Sequence, residues 1–167
     1  MNKPFNPVKS NDECEKIIAG TFQGVLCMAD HNEPYALPLN HAYHNGKFYF
    51  HCAVSGRKLE IIDKNPHVTY VISKYYGDAA HFEEDHKCHG FWESVIAYGK
   101  ARVITDPEEL RATLRIFMAY YGAEDYEPTP TVFENNKAIV IEVDKMTARR
   151  EYEKHKTDYW YWEKVLE

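Results

Sequence analysis

The sequence lacks several features by which common classes of protein are recognised. No apolar run approaches the ~20 residues needed to cross a bilayer, and the segment Met1 to Ser10 lacks the apolar stretch of a signal peptide. The formal net charge is −6, from 20 basic and 26 acidic residues, so no overall positive field attracts nucleic acid. We therefore expect a soluble, cytoplasmic protein that binds neither membranes nor nucleic acid.

Familiar nucleotide-binding and metal-binding motifs are also missing. The chain contains neither GxGxxG nor GxxxxGK[ST], which argues against a Rossmann or P-loop site. Its four cysteines include no CxxC pair, so free thiols are expected rather than disulfides. Cys27 and Cys52 fall within apolar runs, where cysteine usually serves as a small hydrophobic residue.

What the sequence does contain suits one β-rich domain. A chain of 167 residues and 19.6 kDa predicts a single domain spanning residues 1–167, with residues 146–167 as a C-terminal extension. Aromatic residues are abundant, with 13 Tyr, 8 Phe and 3 Trp. This abundance of aromatic residues favours half-buried strands. The alternative explanations are the binding of flat ligands and a large oligomer interface.

The spacing of apolar and turn residues predicts six strands and three helices. Pro38 removes a hydrogen-bond donor, so its strand is expected at a sheet edge or a bulge, interrupted at that proline. Asn45-Gly46 predicts a tight hairpin. The predicted helices cover residues 11–19, 57–63 and 107–121, and the strands cover 24–29, 35–44, 47–51, 67–74, 94–105 and 137–143, the last with an alternative end at Glu151.

Histidines are the other candidates for chemistry. Residues 75–92 predict a long loop, in which His86, Cys88 and His89 are potential metal ligands. Their spacing fits no established zinc pattern, so we expect no metal there. The remaining histidines in strands are expected to be ordinary strand-end or surface residues: His41, His44 and His67.

One segment has the properties of an anion site. A strand ends near His51, Gly56 permits a tight turn, and a helix begins at Arg57-Lys58. Cations at a helix start are unfavourable unless an anion lies nearby, whereas the unpaired amides of a helix start attract phosphate. The two basic side chains are expected to be exposed and to pack little. A solvated basic turn is the alternative interpretation.

Short motifs spread over residues ~10–145 occur in a characteristic order. They are Pro34-Tyr35-Ala36-Leu37-Pro38-Leu39-Asn40-His41, Asn45-Gly46, Tyr49-Phe50-His51, Gly56-Arg57-Lys58, Asn65-Pro66, Ser94-Val95 and Gly99-Lys100-Ala101. In this order the motifs resemble the pyridoxamine 5′-phosphate oxidase-related, FMN-binding split-barrel superfamily. The branch they resemble most is that of the 5-nitroimidazole resistance (Nim) proteins.

The resemblance implies a mainly β fold, a six-stranded antiparallel split barrel with peripheral helices. It also implies a homodimer with FMN at the interface. The basic pair Arg57 and Lys58 would hold the phosphate, assisted by His51 and Ser55. The strand bearing Leu37, Pro38, Leu39 and Asn40 would lie along the flavin ring, and Ser94 and Val95 would contact the cofactor from a later strand.

The function implied by the resemblance is that of an FMN-dependent oxidoreductase acting on a small molecule. In the Nim branch a nitro group is converted to an amine. No side chain is identified as a catalytic acid or base, and a non-enzymatic flavin- or haem-binding protein is the alternative. Residues 154–162 do not match the basic, His-bearing end of true pyridoxamine phosphate oxidases, so that activity is not expected. The aromatic tail would instead cover a flavin, and the 75–92 loop would lie near the cofactor mouth.

Overall fold

The fold is described by a computed structural model that covers residues 6–8, 11–75, 81–82, 88–89 and 92–151. The helices are α1 (Asn11–Ala19), α2 (Arg57–Lys64), α3 (Pro107–Tyr120) and α4 (Pro130–Asn135). The strands are β1 (Asn6–Val8), β2 (Gln23–Asp30), β3 (Glu33–Asn40), β4 (Ala42–His44), β5 (Lys47–Ala53), β6 (His67–Tyr75), β7 (His81–Phe82), β8 (Cys88–His89), β9 (Trp92–Ile104) and β10 (Asn136–Glu151).

Local sequence signals account for where the main elements begin and end. The carboxylate of Asp106 accepts a 2.9 Å hydrogen bond from the backbone N–H of Glu109, which caps α3 ahead of Pro107. The β4–β5 turn has φ values of 49° at Asn45 and 73° at Gly46, the left-handed pair that a two-residue hairpin requires. The predicted helix cap and hairpin are therefore confirmed.

All of the pairings in the main sheet are antiparallel. Its strand order is β3-β2-β6-β9-β10-β5-β4, with β1 paired to the far end of β10. The six longer strands are the six predicted ones, and β1 and β4 add three residues each. The prediction of a mainly β, antiparallel fold with peripheral helices is confirmed. Since β10 continues to Glu151, residues 146–151 of the predicted extension belong to the sheet.

The chain connection between β3 and β4 forces the sheet to curl. These strands lie at opposite ends of the strand order, yet only His41 separates them in the sequence. The two edges of the sheet must therefore approach each other at His41, and no ladder joins them among the described residues. The result is a barrel with an open seam, filled by buried side chains that include Phe48, Phe50 and Tyr70.

Three predictions of local structure were wrong. The strand containing Pro38 does lie at a sheet edge, but it is interrupted at His41 rather than at the proline. Helix α4 begins inside residues 124–131, for which the sequence predicts a proline-containing loop, and strands β7 and β8 pair within the 75–92 loop. His41 lies at a strand end, as one of the two expectations for it had it, but it is fully buried. Each error arises where tertiary contacts outweigh local composition.

The cysteines whose side chains are described are unpaired, as the sequence predicts. Cys14, Cys27 and Cys52 are free thiols, and Cys14 and Cys52 are buried. Cys88 belongs to the part of the chain whose side chains are not described. Among the described residues, no helix combines the length and apolar character needed to cross a membrane.

Candidate functional site

The predicted phosphate residues lie at the start of α2. Gly56 precedes the helix with φ 139°, a conformation that favours glycine, and a Cβ added there would meet no atom within 4 Å. No side chain caps this helix start, and the carbonyl of Gly56 accepts from the Leu59 and Glu60 amides, at 2.9 and 3.4 Å. The amides of the first two helical residues, Arg57 and Lys58, therefore face open space beside two cationic side chains. This donor set fits a phosphate group.

Arg57 is less free than the sequence suggested. Its guanidinium lies 5.1 Å from the ring centroid of Tyr35 and 3.3 Å from a carboxylate oxygen of Glu33. The side chain is exposed, as expected, but it is not free of contacts. Contacts with β3 already orient the guanidinium group, and an incoming anion would compete with Glu33 for this group. Lys58 is half-buried, and no ion pair with a carboxylate forms at it within the described part of the chain.

The remaining residues predicted near the phosphate lie on the same connection. Ser55 is exposed in the bend between β5 and α2. The side chain of His51 points to the opposite face of β5 from that of Cys52, because neighbouring strand residues alternate. Its ring contacts Phe117 of α3 edge-on, with 4.8 Å between centroids. His51 is thus on the adjoining strand, but its side chain packs against α3 rather than beside Arg57.

Strand β3 connects the start of α2 to the residues predicted to bind the flavin ring. Arg57 contacts the first residues of this strand, and the predicted ring-binding residues follow. Leu37 and Leu39 are half-buried and pack against the core, whereas Pro38 and Asn40 are exposed on the outer face of the sheet. A flat ligand lying along this strand would therefore meet Pro38, Asn40 and exposed backbone.

Ser94 and Val95 occupy opposite faces of β9. Ser94 is half-buried on the outer face, while Val95 is fully buried in the core. Ser94 is paired with Ser73, and His51 lies in the same cross-strand row as Ile104. Ten residues separate Ser94 from Ile104, about 33 Å along an extended strand. The described chain therefore does not bring Ser94 beside the phosphate residues.

The outer face that bears Pro38, Asn40 and Ser94 also carries exposed apolar side chains. Cross-strand partners share a face, and one row runs through Pro38, Val25, Val71 and Ile96. Val25 is 38% exposed and Tyr98, two residues from Ile96, is 43% exposed. We name the surface formed by Val25, Val71, Ile96 and Tyr98 the outer apolar face.

Beneath the end of β3 lies a buried polar network that the sequence did not reveal. Tyr70 donates a 2.8 Å hydrogen bond to the carbonyl oxygen of Leu39, and its hydroxyl lies 2.9 Å from Nδ1 of His41. Burial lowers the pKa of His41 to about 4, so the imidazole is neutral at pH 7. Because Tyr70 uses its proton on Leu39, Nδ1 of His41 is assigned as the donor to Tyr70. The network holds the backbone that ends β3.

The predictions for the His-rich loop stay open. The side chains of His86, Cys88 and His89 lie outside the described residues, as do residues 152–167 with the aromatic tail. Among the side chains that the structure describes, no group of three His, Cys, Asp or Glu is arranged to hold a metal ion.

Comparisons with known proteins agree with this architecture. The family model described as pyridoxamine 5′-phosphate oxidase matches residues 10–150. A search of curated proteins finds no match.

Several solved structures share the fold. A candidate 5-nitroimidazole antibiotic resistance protein from Bacteroides thetaiotaomicron is 24% identical, with a TM-score of 0.74 over 90% of this chain and 93% of that one. An FAD-binding protein from Mesorhizobium loti is 19% identical, with a TM-score of 0.69 over 90% and 100%. An FAD- and haem-binding protein from Mycobacterium smegmatis is 12% identical, with a TM-score of 0.76 over 88% and 74%. The predicted split-barrel fold is confirmed.

Proposed function

We propose that this chain, which belongs to the pyridoxamine 5′-phosphate oxidase family, is an FMN-dependent oxidoreductase acting on a small molecule. The observation that carries the proposal is the start of α2, where open amides follow Gly56 beside Arg57 and Lys58. A terminal phosphate there would be bound by charge-assisted hydrogen bonds. A flavin supplies the redox chemistry when bound, and the protein positions it.

The geometry supports a definite orientation for the cofactor. With its phosphate at α2, the flavin would extend along β3, because Arg57 already contacts Tyr35 near the beginning of that strand. Exposed backbone at Pro38 and Asn40 would face the ring, while Leu37 and Leu39 anchor the strand to the core. The contact between Tyr70 and the Leu39 carbonyl would keep this backbone in one position. These residues bind and orient; none is assigned a proton-transfer role.

We infer a homodimer from the position of the outer apolar face. Monomers rarely expose contiguous apolar surface without using it, and this surface is continuous with Pro38, Asn40 and Ser94. A second copy of the chain seated there would bury the apolar side chains and cover one face of the ring. This arrangement also explains how Ser94 could contribute to a site whose phosphate end lies far away along the sheet.

The finer proposal is a nitroreductase of the Nim type. It is supported by the order of motifs along the chain and by the fold shared with the protein from Bacteroides thetaiotaomicron. A non-enzymatic flavin- or haem-binding protein is the second candidate, supported by the fold shared with the protein from Mycobacterium smegmatis. The two proposals differ in whether electrons pass through the bound flavin to a substrate.

A titration of the purified full chain separates these candidates. Reconstitution with FMN should give a yellow protein, which NAD(P)H or dithionite should bleach under nitrogen. Addition of a nitroaromatic should restore the flavin absorption at a rate above that of free reduced FMN, and with NAD(P)H in excess three successive two-electron reductions should carry the nitro group to the amine. A flavin that reduces but is not reoxidised faster than free FMN would favour the binding protein. A haem spectrum in place of flavin absorption would contradict the FMN proposal.

A further inference from the structure

A third cation lies beside the candidate phosphate site, on a strand remote in sequence from the basic pair. Lys137 of β10 is directly opposite Cys52 of β5 in an antiparallel ladder. Side chains of directly opposed residues share a face, with Cβ atoms ~5 Å apart. Cys52 is followed, after Ala53 and Val54, by the bend that leads into α2. The side chain of Lys137 therefore lies on the same face of the sheet as that of Cys52, near the point where β5 leads into α2.

The charges of Lys58 and Lys137 both act on the thiol of Cys52. Cys52 is buried, with 7% of its surface exposed, and burial raises the pKa of its thiol. The positive charges of Lys58 and Lys137 both act in the opposite direction. Two ammonium groups, one from α2 and one from β10, thus act on the same buried sulfur atom.

Neither lysine has a counter-charge in the described part of the chain. The other two cations of α2 are neutralised: Lys64 by Asp30 at 3.3 Å and Arg57 by Glu33 at 3.3 Å. Lys58 and Lys137 form no such ion pair with a described carboxylate. The two unneutralised ammonium groups repel each other, whereas an anion bound between them would attract both.

We propose that Lys137 is a phosphate-binding residue and that the anionic end of the ligand lies between Lys137 and Lys58. The proposal rests on the proposed function, because the ligand class is a phosphate monoester carried by a flavin. The proposal gives Arg57 a smaller role in phosphate binding, because Arg57 must first break its ion pair with Glu33. The residue is distant from the Gly56-Arg57-Lys58 motif in the sequence, and only the β5–β10 ladder brings it there.

The test compares two flavins that differ in the phosphate. FMN and riboflavin are titrated into the purified full chain and followed by quenching of flavin fluorescence. Lys137→Ala should weaken FMN binding about 10- to 150-fold, as expected for loss of one charge-assisted contact, and leave riboflavin binding unchanged. Lys137→Arg, which keeps the charge, should restore most of the FMN affinity.

Lys47→Ala is the matched control. It removes the same charge from the start of β5, the strand paired with β10, but its ammonium group is neutralised by Glu142 at 3.0 Å. It should change FMN affinity no more than a two-fold electrostatic effect. Should Lys137→Ala fail to fold, Lys137→Met removes the charge while it keeps a long unbranched side chain, and serves in its place.

The outcomes separate this inference from the proposed function. If Lys137→Ala behaves like Lys47→Ala while Lys58→Ala weakens FMN binding, the inference is wrong and the phosphate site at α2 stands. Equal losses for FMN and riboflavin would show that Lys137 supports the barrel rather than the phosphate. Failure of the wild-type chain to bind either flavin would overturn the proposed function, and this inference with it.

Discussion

Nδ1 of His41 and the hydroxyl of Tyr70 lie 2.9 Å apart inside the barrel, where both side chains are fully buried. His41 is the one residue between β3 and β4, the strands at the two edges of the sheet. The pair therefore joins the seam of the barrel to β6, an inner strand of the sheet. Because Tyr70 also donates to the Leu39 carbonyl, the seam and the proposed flavin-binding strand share one hydrogen-bonded network.

The first prediction concerns pH and His41. Its folded pKa of about 4 lies below the ordinary value of 6.5, so between these values the unfolded chain binds a proton that the folded chain does not. Stability therefore falls as the pH falls through this window. At pH 5 the loss relative to pH 7.5 is about 2 kcal/mol. Urea unfolding at both pH values should show that His41→Gln lacks this loss.

The control for this prediction is His44→Gln. His44 lies three residues away and is exposed, so its replacement should leave the pH dependence of the unfolding free energy as in the wild type. If His41→Gln and the wild type lose the same free energy between pH 7.5 and pH 5, His41 is not the group that titrates.

A second prediction concerns Lys58 and the phosphate. Lys58→Ala should remove charge-assisted bonds worth roughly 1.5–3 kcal/mol, weakening FMN binding about 10- to 150-fold. Riboflavin binding should be unchanged. The apo protein should be equally or slightly more stable, since a cation is unfavourable at a helix start. Flavin fluorescence titrations and thermal unfolding measure these three quantities.

Lys64→Ala at the other end of α2 is the comparison for Lys58, because Lys64 is neutralised by Asp30. It should leave both flavin affinities unchanged. A loss of FMN affinity as large as that of Lys58→Ala would mean that the general charge of α2, rather than its first turn, attracts the cofactor.

The third prediction is a dimer that uses the outer apolar face. Light scattering should give about twice 19.6 kDa for the wild-type chain. Tyr98→Glu places a charge on this face and should yield monomers with weaker flavin binding. Phe22→Ser, at an aromatic side chain 52% exposed and packed against Tyr120 and Tyr121 instead, should remain dimeric. A wild-type monomer with full flavin occupancy would refute the arrangement.

The fourth prediction concerns the close approach of β9 and β10. A Cβ on Gly99 would clash with the backbone oxygen of Glu142, next to the bulge between Val143 and Lys145. Backbone held in a ladder cannot yield easily, so Gly99→Ala should destabilise the fold by roughly 1–3 kcal/mol. Urea unfolding measures the change.

Gly20→Ala is the matched substitution. The Cβ there would meet only the flexible end of the Lys74 side chain, which can move away. Its effect on the unfolding free energy should be small. Comparable losses at the two glycines would show that crowding at Gly99 is relieved by movement of the strands.

Only part of the arrangement of the site could be predicted from the sequence. Gly56 and the adjacent basic pair are consecutive, so their chemistry could be inferred from local pattern alone. The engagement of Arg57 by Glu33 and Tyr35 could not, because these partners lie on a different strand of the sheet. Lys137 was missed for the same reason, since nothing in its own surroundings marks it as a ligand.

Local interactions by themselves determined the elements whose signals are short-range. Asp106 caps α3 through an amide three residues away, and Asn45-Gly46 sets its hairpin through its own backbone conformation. The closing of the barrel was decided by tertiary structure alone. His41 carries no local signal of burial, and it becomes a core residue because β3 and β4 join opposite edges of one curled sheet beside Tyr70. Contacts between distant strands depend on the register of the whole sheet, which no short window of sequence contains.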